Sequence, residues 1–340
     1  MRFLLTLAAS FVFFTLAGFF IGRSPVKLAT SEVVSARELA KELVAKEFVF
    51  VNVHTPYEGE IAKTDSFIQY DEMLANKNLL PKDKKTPIVL YCKTGRMSAE
   101  ALTTLKGMGY TNVRHLEGGM DAWQKARYKI LDLSKLPEEV LPKEGFTLPV
   151  SWGDVGPRLT QLGVIDLTKF EEAVSMTDEQ RKILTEGGDI PIKIDNTSSQ
   201  FVVDLLWALG LAQKSIVYNE GPLGKEYKNE QGNFASTGGW TLARRDALNY
   251  LNKFELISLT PEQQKRVGEI AKNVYRPCCG NPTWFPDCNH GMAALAIVEL
   301  LVAKGLSDAE IYQEVLKLNS FWFPDNYLLA ATYFARQGTA

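Results

Sequence analysis

Hydrophobic and polar positions along residues 31–129 follow two periods in turn. Apolar runs of strand length stand at Phe48–Val53 (F-V-F-V-N-V), Pro87–Tyr91 and Asn112–Leu116. Between them lie segments of helical period. One opens on the capping box Ser35-Ala36-Arg37-Glu38 and runs to about Lys46; another spans Ser98–Met108 and stops at Gly109. A short third helix follows Gly118-Gly119 and reaches about Lys125. Continuous apolar strands that alternate with helices predict an α/β domain with a parallel sheet covered on both faces.

The pattern then dissolves. Pro137, Pro142, Pro149 and Pro157 punctuate a stretch without a sustained period, so 130–157 reads as a linker. Residues 158–340 read as a mainly α-helical domain. Helices are expected over Leu167–Thr185, Gln200–Leu209 with Gly210 as stop, Thr241–Leu251, Thr260–Tyr275, Cys288–Lys304, and from a cap at Ser307. A short strand is expected at Ile190–Ile194, and Asn219–Gly239, with five glycines, reads as a long loop. Before all of this, Phe3–Ile21 is almost wholly apolar, flanked by Arg2, Arg23 and Lys27. A run of about 20 apolar residues is long enough to cross a bilayer, so residues 1–23 read as a membrane anchor or a signal segment. The expected partner of residues 3–21 is the membrane, with the remainder on its extracytoplasmic (periplasmic or outer) face.

Composition adds exclusions. With 38 basic and 40 acidic residues the net charge is −2, and no basic stripe appears, which argues against nucleic acid as a partner. Four cysteines are too few for a disulfide scaffold. They are also clustered: Cys92 stands alone in Y-C-K-T-G-R-M-S, while Cys278, Cys279 and Cys288 crowd into C-C-G-N-P-T-W-F-P-D-C-N-H, which ends on His290.

Cys92 falls between an apolar strand and a helix. Loop amides and the helix N-terminus favour an anion there, Gly95 permits a sharp turn, and Lys93 and Arg96 add positive charge. These features predict a nucleophilic thiol. The bland alternative is a small buried residue at a strand end. His54 and His115 read as surface or structural residues outside any constellation.

Residues 33–127 resemble a rhodanese (sulfurtransferase) domain. The resemblance rests on four ordered motifs: F-V-N-V-H-T-P-Y-E at Phe50–Glu58, Y-C-K-T-G-R-M-S at Tyr91–Ser98, G-Y-T-N-V at Gly109–Val113 and L-E-G-G-M-D-A-W at Leu116–Trp123. It implies that Cys92 carries a persulfide, with Lys93 and Arg96 assisting. The remaining loop residues, Thr94, Gly95, Met97 and Ser98, then cradle the sulfur or an anionic substrate. Departures fall on Asn52-Val53-His54, where the family often has D-V-R, and on Gly59–Thr64. The loop arginine also stands one place early, with Met97 after it. The implied partners are a small sulfur donor and a thiol acceptor, and the implied chemistry requires no cofactor.

For the second cluster three readings stand. The thiols are redox-active, with Cys279 and Cys288 as a pair and Cys278 as resolving thiol; Cys288 at a helix start would then have a lowered pKa. In the second reading Cys278, Cys279, Cys288 and His290 bind zinc or another metal. In the third a disulfide holds a loop. Residues 259–319 are also similar to the thiol-bearing helical domain of the cytochrome c maturation thiol-oxidoreductases, through L-T-P-E-Q-Q-K-R at Leu259–Arg266, Y-R-P-C-C-G-N at Tyr275–Asn281 and E-L-L-V-A-K-G-L-S-D-A-E-I at Glu299–Ile311. That family carries C-x-x-C where this chain has adjacent cysteines. The leading expectation is a sulfurtransferase or thiol-handling protein with a second, redox-active thiol cluster. The alternative is a metal-binding or disulfide-stabilised interaction module with a silent rhodanese-like domain.

Overall fold

The computed structural model describes residues 31–338, and the apolar segment 3–21 with its anchor-or-signal reading lies outside them. Among the described residues no helix is long and apolar enough to cross a membrane. Contacts divide the chain after Ile130 into two units.

In the first unit five strands, β1 (Val33–Val34), β2 (Val49–Asn52), β3 (Ser66–Phe67), β4 (Ile88–Tyr91) and β5 (Val113–Leu116), form one sheet in the order β1-β5-β4-β2-β3. All pairings are parallel. The alternation of strand side chains explains the unbroken apolar runs. Ile88, Leu90 and Cys92 face one side, where Ala101, Leu102 and Leu105 of the helix Arg96–Gly107 cover them. Val89 and Tyr91 face the other, packed among Leu39, Phe50, Met120 and Trp123. The helices Ala36–Glu42, capped by the Ser35–Glu38 box, and Gly119–Lys125 lie on that second face. Cys92 therefore emerges from the middle strand of the sheet at its C-terminal edge, the end where open α/β sheets bind ligands.

The second unit is largely helical around two central helices, Ser199–Ala212 and Asn289–Lys304, both apolar on nearly every face and almost wholly buried. They cross closely because of Gly210: a Cβ there would lie 2.2 Å from the Met292 carbonyl oxygen. Gly210 thus sits inside the helix as a packing residue, correcting the expectation of a helix stop. Residues 130–157, expected to be a linker, contain a helix at Leu136–Val140 and a strand, β6 (Phe146–Gly153), antiparallel to β7 (Gly188–Ile194). In β6 Leu148, Val150 and Trp152 point inward and Pro149 outward, so strand alternation was present under the prolines. The long helix expected over Leu167–Thr185 is two, Leu167–Ala173 and Asp178–Thr185, because Thr177 and Gln180 form a second capping box. Thr241–Leu251 holds only a single 3-10 turn at Ala247–Asn249, and the Asn219–Gly239 loop contains short helical turns.

One buried charge in this unit sets a pH dependence. Glu299, on the central helix Asn289–Lys304, is fully buried, and its carboxyl makes no hydrogen bond of normal length. Burial pushes its pKa up to about 8, and the Ser215 hydroxyl offsets only part of that. From the ordinary value of 4.5 up to about 8, the folded chain keeps a proton that the unfolded chain has lost. Stability contributed by the neutral carboxyl is therefore complete below that window and falls as pH rises through it. Glu299→Gln is expected to exceed the parent in stability by a margin that grows from acid to mildly alkaline pH. Urea unfolding followed by tryptophan fluorescence reads this, since Trp152, Trp207, Trp240, Trp284 and Trp322 all belong to this unit. Parallel stability–pH curves for the two proteins would contradict it.

Candidate functional site

Cys92 follows β4 directly and is buried, with 1% of its surface exposed. Gly95 turns the chain with φ of 95° and serves as N-cap of the helix Arg96–Gly107, but it has no side chain to cap with. The Cys92 sulfur fills that role. It accepts the Gly95 amide at 3.1 Å and the Ser98 amide, in the third helical position, at 3.4 Å. The loop is held from behind: Met120 N–H donates to the Cys92 carbonyl and Asp121 N–H to that of Lys93. This close approach requires Gly119, whose added Cβ would fall 2.2 Å from the Cys92 carbonyl oxygen.

Ser98 extends the site. Its hydroxyl lies 3.5 Å from the Cys92 sulfur, donates to the Gly95 carbonyl at 3.1 Å and meets His115 Nδ1 at 3.2 Å. His115, read from sequence as outside any constellation, thus belongs to a Cys92–Ser98–His115 chain. Burial lowers its pKa, against a smaller upward pull from Glu32 and Glu117. The signal that would have found it is register: β5 pairs with β4 so that His115 stands beside Leu90. Lys93 and Arg96, expected to charge the sulfur directly, are turned elsewhere. Lys93 pairs with Glu58, and Arg96 pairs with Glu100 at 2.6 Å and lies over the Tyr70 ring. Those carboxylates raise the pKa of both cations. Thr94 is exposed at the loop tip, and Met97 packs partly onto the core.

The second cluster lies between the helices Pro261–Ala271 and Asn289–Lys304. Cys278 Sγ is 3.8 Å from Cys279 Sγ and 3.7 Å from Cys288 Sγ, and all three sulfurs lie within 4.8 Å of one another. They form a set that could hold a metal ion. Asp287 Oδ1 lies 3.9 Å from Cys279 Sγ, but among the described residues no imidazole or carboxylate lies within 4.8 Å of all three sulfurs. His290, expected as a fourth ligand, is instead packed against aromatic rings, 4.6 Å from Phe323 and 5.7 Å from Trp322. Burial, with the nearby Arg276 cation, lowers its pKa to about 4.

Arg276 is 1% exposed beside the sulfurs. Its Nη2 donates to Cys279 Sγ at 3.3 Å, to the Phe285 carbonyl at 3.0 Å and to Asp287 Oδ1 at 2.7 Å. Burial works against a Cys279 thiolate, but the Asn281 amide and Arg276 outweigh it and lower the pKa. Burial pushes Cys278 up to about 12, with Cys288 adding to it. Cys288 is N-cap of its helix, and burial raises its pKa despite Arg276 and the Gly291 amide. The helix-start argument for a low Cys288 pKa is therefore overturned by desolvation.

The rhodanese-like domain family model matches residues 36–126. Residues 36–126 are a rhodanese-like domain. The chain is similar to a probable adenylyltransferase/sulfurtransferase MoeZ from Mycobacterium tuberculosis, 37% identical over 105 residues, covering 28% of this chain and 26% of that protein. It is also similar to a tRNA uridine(34) hydroxylase from Erwinia tasmaniensis, 31% identical over 93 residues, 26% of this chain and 27% of that protein. The chain thus spans about a quarter of the length of these relatives. Among solved structures, a rhodanese-related protein from Thermoplasma volcanium is 25% identical and covers 30% of this chain and 98% of its own, with a TM-score of 0.26. A rhodanese-like domain protein from Staphylococcus aureus is 29% identical and covers 27% of this chain and 91% of its own, with a TM-score of 0.25.

Within the rhodanese-like domain the departure at Asn52-Val53-His54 finds a local explanation. Asn52 accepts the His54 amide and donates to the Gly59 carbonyl, so it ties the end of β2 to the following turn. His54 is buried with Nε2 3.5 Å from Glu58 Oε1, the carboxylate that also holds Lys93.

Gly119→Ala tests how the loop is held. The alanine would need a left-handed backbone, at roughly 1–2 kcal/mol, and its Cβ would collide with the Cys92 carbonyl. The expected outcome is destabilisation of the rhodanese-like domain by about 2 kcal/mol or more. Faster hydrogen exchange in peptides covering β4 and the Cys92 loop would report it; unchanged exchange would show that the loop does not depend on Gly119.

Proposed function

We propose that the protein is a sulfurtransferase in which Cys92 carries sulfane sulfur. The observation that carries this reading is the pair of amide N–H groups directed at the Cys92 sulfur from Gly95 in the turn and Ser98 in the third helical position. Oriented amides stabilise a thiolate or a terminal persulfide anion without neutralising it. The relative named as a sulfurtransferase, 37% identical over the aligned region, supports the same sulfur-related role.

The chemistry balances in two steps. The Cys92 thiolate attacks the sulfane sulfur of a small donor; the donor's bond to that sulfur breaks, and the rest of the donor leaves with the electron pair. The product is Cys92–S–S⁻. An acceptor thiolate then attacks the outer sulfur, the enzyme's S–S bond breaks, and the Cys92 thiolate returns. No cofactor takes part. Ser98 and His115 offer the thiol proton a way out before the first step once the Ser98 hydroxyl turns its own proton from the Gly95 carbonyl to His115 Nδ1, and burial favours the neutral imidazole that can accept it there.

Thiosulfate:thiol sulfurtransferase assays of the full chain test the assignment. Cys92→Ser is expected to abolish turnover and the persulfide mass increment of one sulfur on the loop peptide. His115→Asn is expected to slow persulfide formation several-fold and leave transfer to the acceptor unchanged. Full activity in Cys92→Ser would overturn the reading. A second reading, a silent module that only binds, is favoured by the 1% exposure of Cys92 and by the outward ion pairs of Lys93 and Arg96. It predicts no activity, and no persulfide, in the parent protein.

A further inference from the structure

We propose that Cys278, Cys279 and Cys288 hold a zinc-class divalent cation through three thiolates, with a fourth coordination position open to an external ligand. The inference stands on the second unit alone and is independent of the role given to Cys92.

Spacing is the first argument. With metal–sulfur bonds near 2.3 Å, tetrahedral coordination sets neighbouring sulfurs about 3.8 Å apart. The Cys278–Cys279 and Cys278–Cys288 separations are 3.8 and 3.7 Å, and the third pair closes within 4.8 Å. A disulfide pair would bring two sulfurs together and leave the third without a task. Here Cys278 is equally close to both neighbours.

Charge is the second argument. Three thiolates around a divalent cation carry one net negative charge. Arg276 stands beside them, buried, with Nε and Nη1 lacking hydrogen-bond partners and Nη2 on Cys279 Sγ. A buried guanidinium is stable only beside an anion. Asp287 supplies one, and an anionic metal–thiolate centre supplies the other. The chain makes room for the guanidinium: a Cβ on Gly291 would fall 2.1 Å from Arg276 Nη1.

The open position follows from what the neighbours do. His290 is packed on Phe323 and Trp322. The Asp287 carboxylate reaches only Cys279 Sγ, at 3.9 Å, and is engaged on both oxygens, by Arg276 at 2.7 Å and by Asn281 Nδ2 at 2.8 Å. Cys278 and Cys279 are exposed, so the remaining position faces solvent. Closed structural zinc sites use four protein ligands, whereas sites with three keep a place for water or substrate. Water, displaceable by a small thiolate, fits that place.

Cobalt(II) titration of the reduced full chain tests the site, cobalt standing in for zinc. One equivalent per chain is expected to produce near-ultraviolet thiolate-to-cobalt charge transfer with tetrahedral visible bands, reversed by zinc. Cys278→Ser and Cys288→Ser are expected to lose the charge-transfer signal at one equivalent, and Arg276→Gln to weaken binding roughly 10- to 100-fold. Cys92→Ser and His290→Ala should leave the spectrum as in the parent, and added 2-mercaptoethanol should shift it. A readout without variants runs alongside: zinc should shield three of the four thiols from a thiol reagent. Absence of charge transfer, or its persistence in both cysteine variants, overturns the site. So does a pair of thiols that oxidises in air at the same rate with and without zinc. A spectrum changed by His290→Ala and indifferent to the added thiol overturns the open position.

Discussion

The Cys92 sulfur occupies the place of a helix-capping side chain, and the first unit is arranged around that substitution. A helix of 12 residues begins at a glycine that has nothing to cap it with, and two amides are satisfied by a sulfur arriving from the neighbouring strand. The cap works only if β4 ends at Tyr91 and the helix begins at Arg96, which fixes the length of the turn. It also works only if the backbone of Cys92 and Lys93 stays in place, and the amides of Met120 and Asp121 secure that across a gap only glycine can line. The G-G of L-E-G-G-M-D-A-W is therefore part of the cysteine site, although it lies more than 25 residues away in sequence.

The second unit places Cys288 at a helix start in the same way, with the amide of Gly291 behind it, yet the local balance differs. Burial outweighs the helix terminus at Cys288, and the lowered thiol is Cys279, through the Asn281 amide and Arg276. The second cluster is governed by a buried full charge, the first by neutral dipoles. Gly291 does for Arg276 what Gly119 does for the Cys92 loop: each is small because a polar group must pass close by.

Sequence motifs carried the first unit well. The three main strands and the helices flanking the Cys92 loop follow from runs and breaks that are local in the chain, so propensity and tertiary structure agree there. His115 was illegible because its meeting with Ser98 depends on parallel strand register, which no local pattern encodes. Lys93 and Arg96 misled for the opposite reason: they are local to the loop, but Glu58, Glu100 and Tyr70 draw them outward. In the second unit, Pro149 hid the alternation of Leu148, Val150 and Trp152, and Gly210 resembled a stop because a helix–helix crossing leaves no trace in a single segment. His290 stands two residues after Cys288, a spacing awkward for a ligand on a regular helix, and only the distant Phe323 and Trp322 show where its ring belongs.

The electrostatics at the two sites suit opposite uses of sulfur. A thiol's intrinsic nucleophilicity falls as its pKa falls, so a cation bonded to a sulfur makes an anion easier to form and less eager to attack. At Cys92 both nearby cations are held off the sulfur by carboxylates, and two amides do the stabilising. That arrangement suits the sulfur transfer proposed for Cys92. At Cys279 a buried guanidinium lies 3.3 Å from the sulfur, and two more sulfurs share the same few ångströms. Crowded thiolates repel one another unless positive charge gathers them, and Arg276 supplies a single charge, already shared with Asp287. The cation proposed at the centre of the three sulfurs would supply the charge that Arg276 alone does not, and it would hold sulfur in place rather than pass it on.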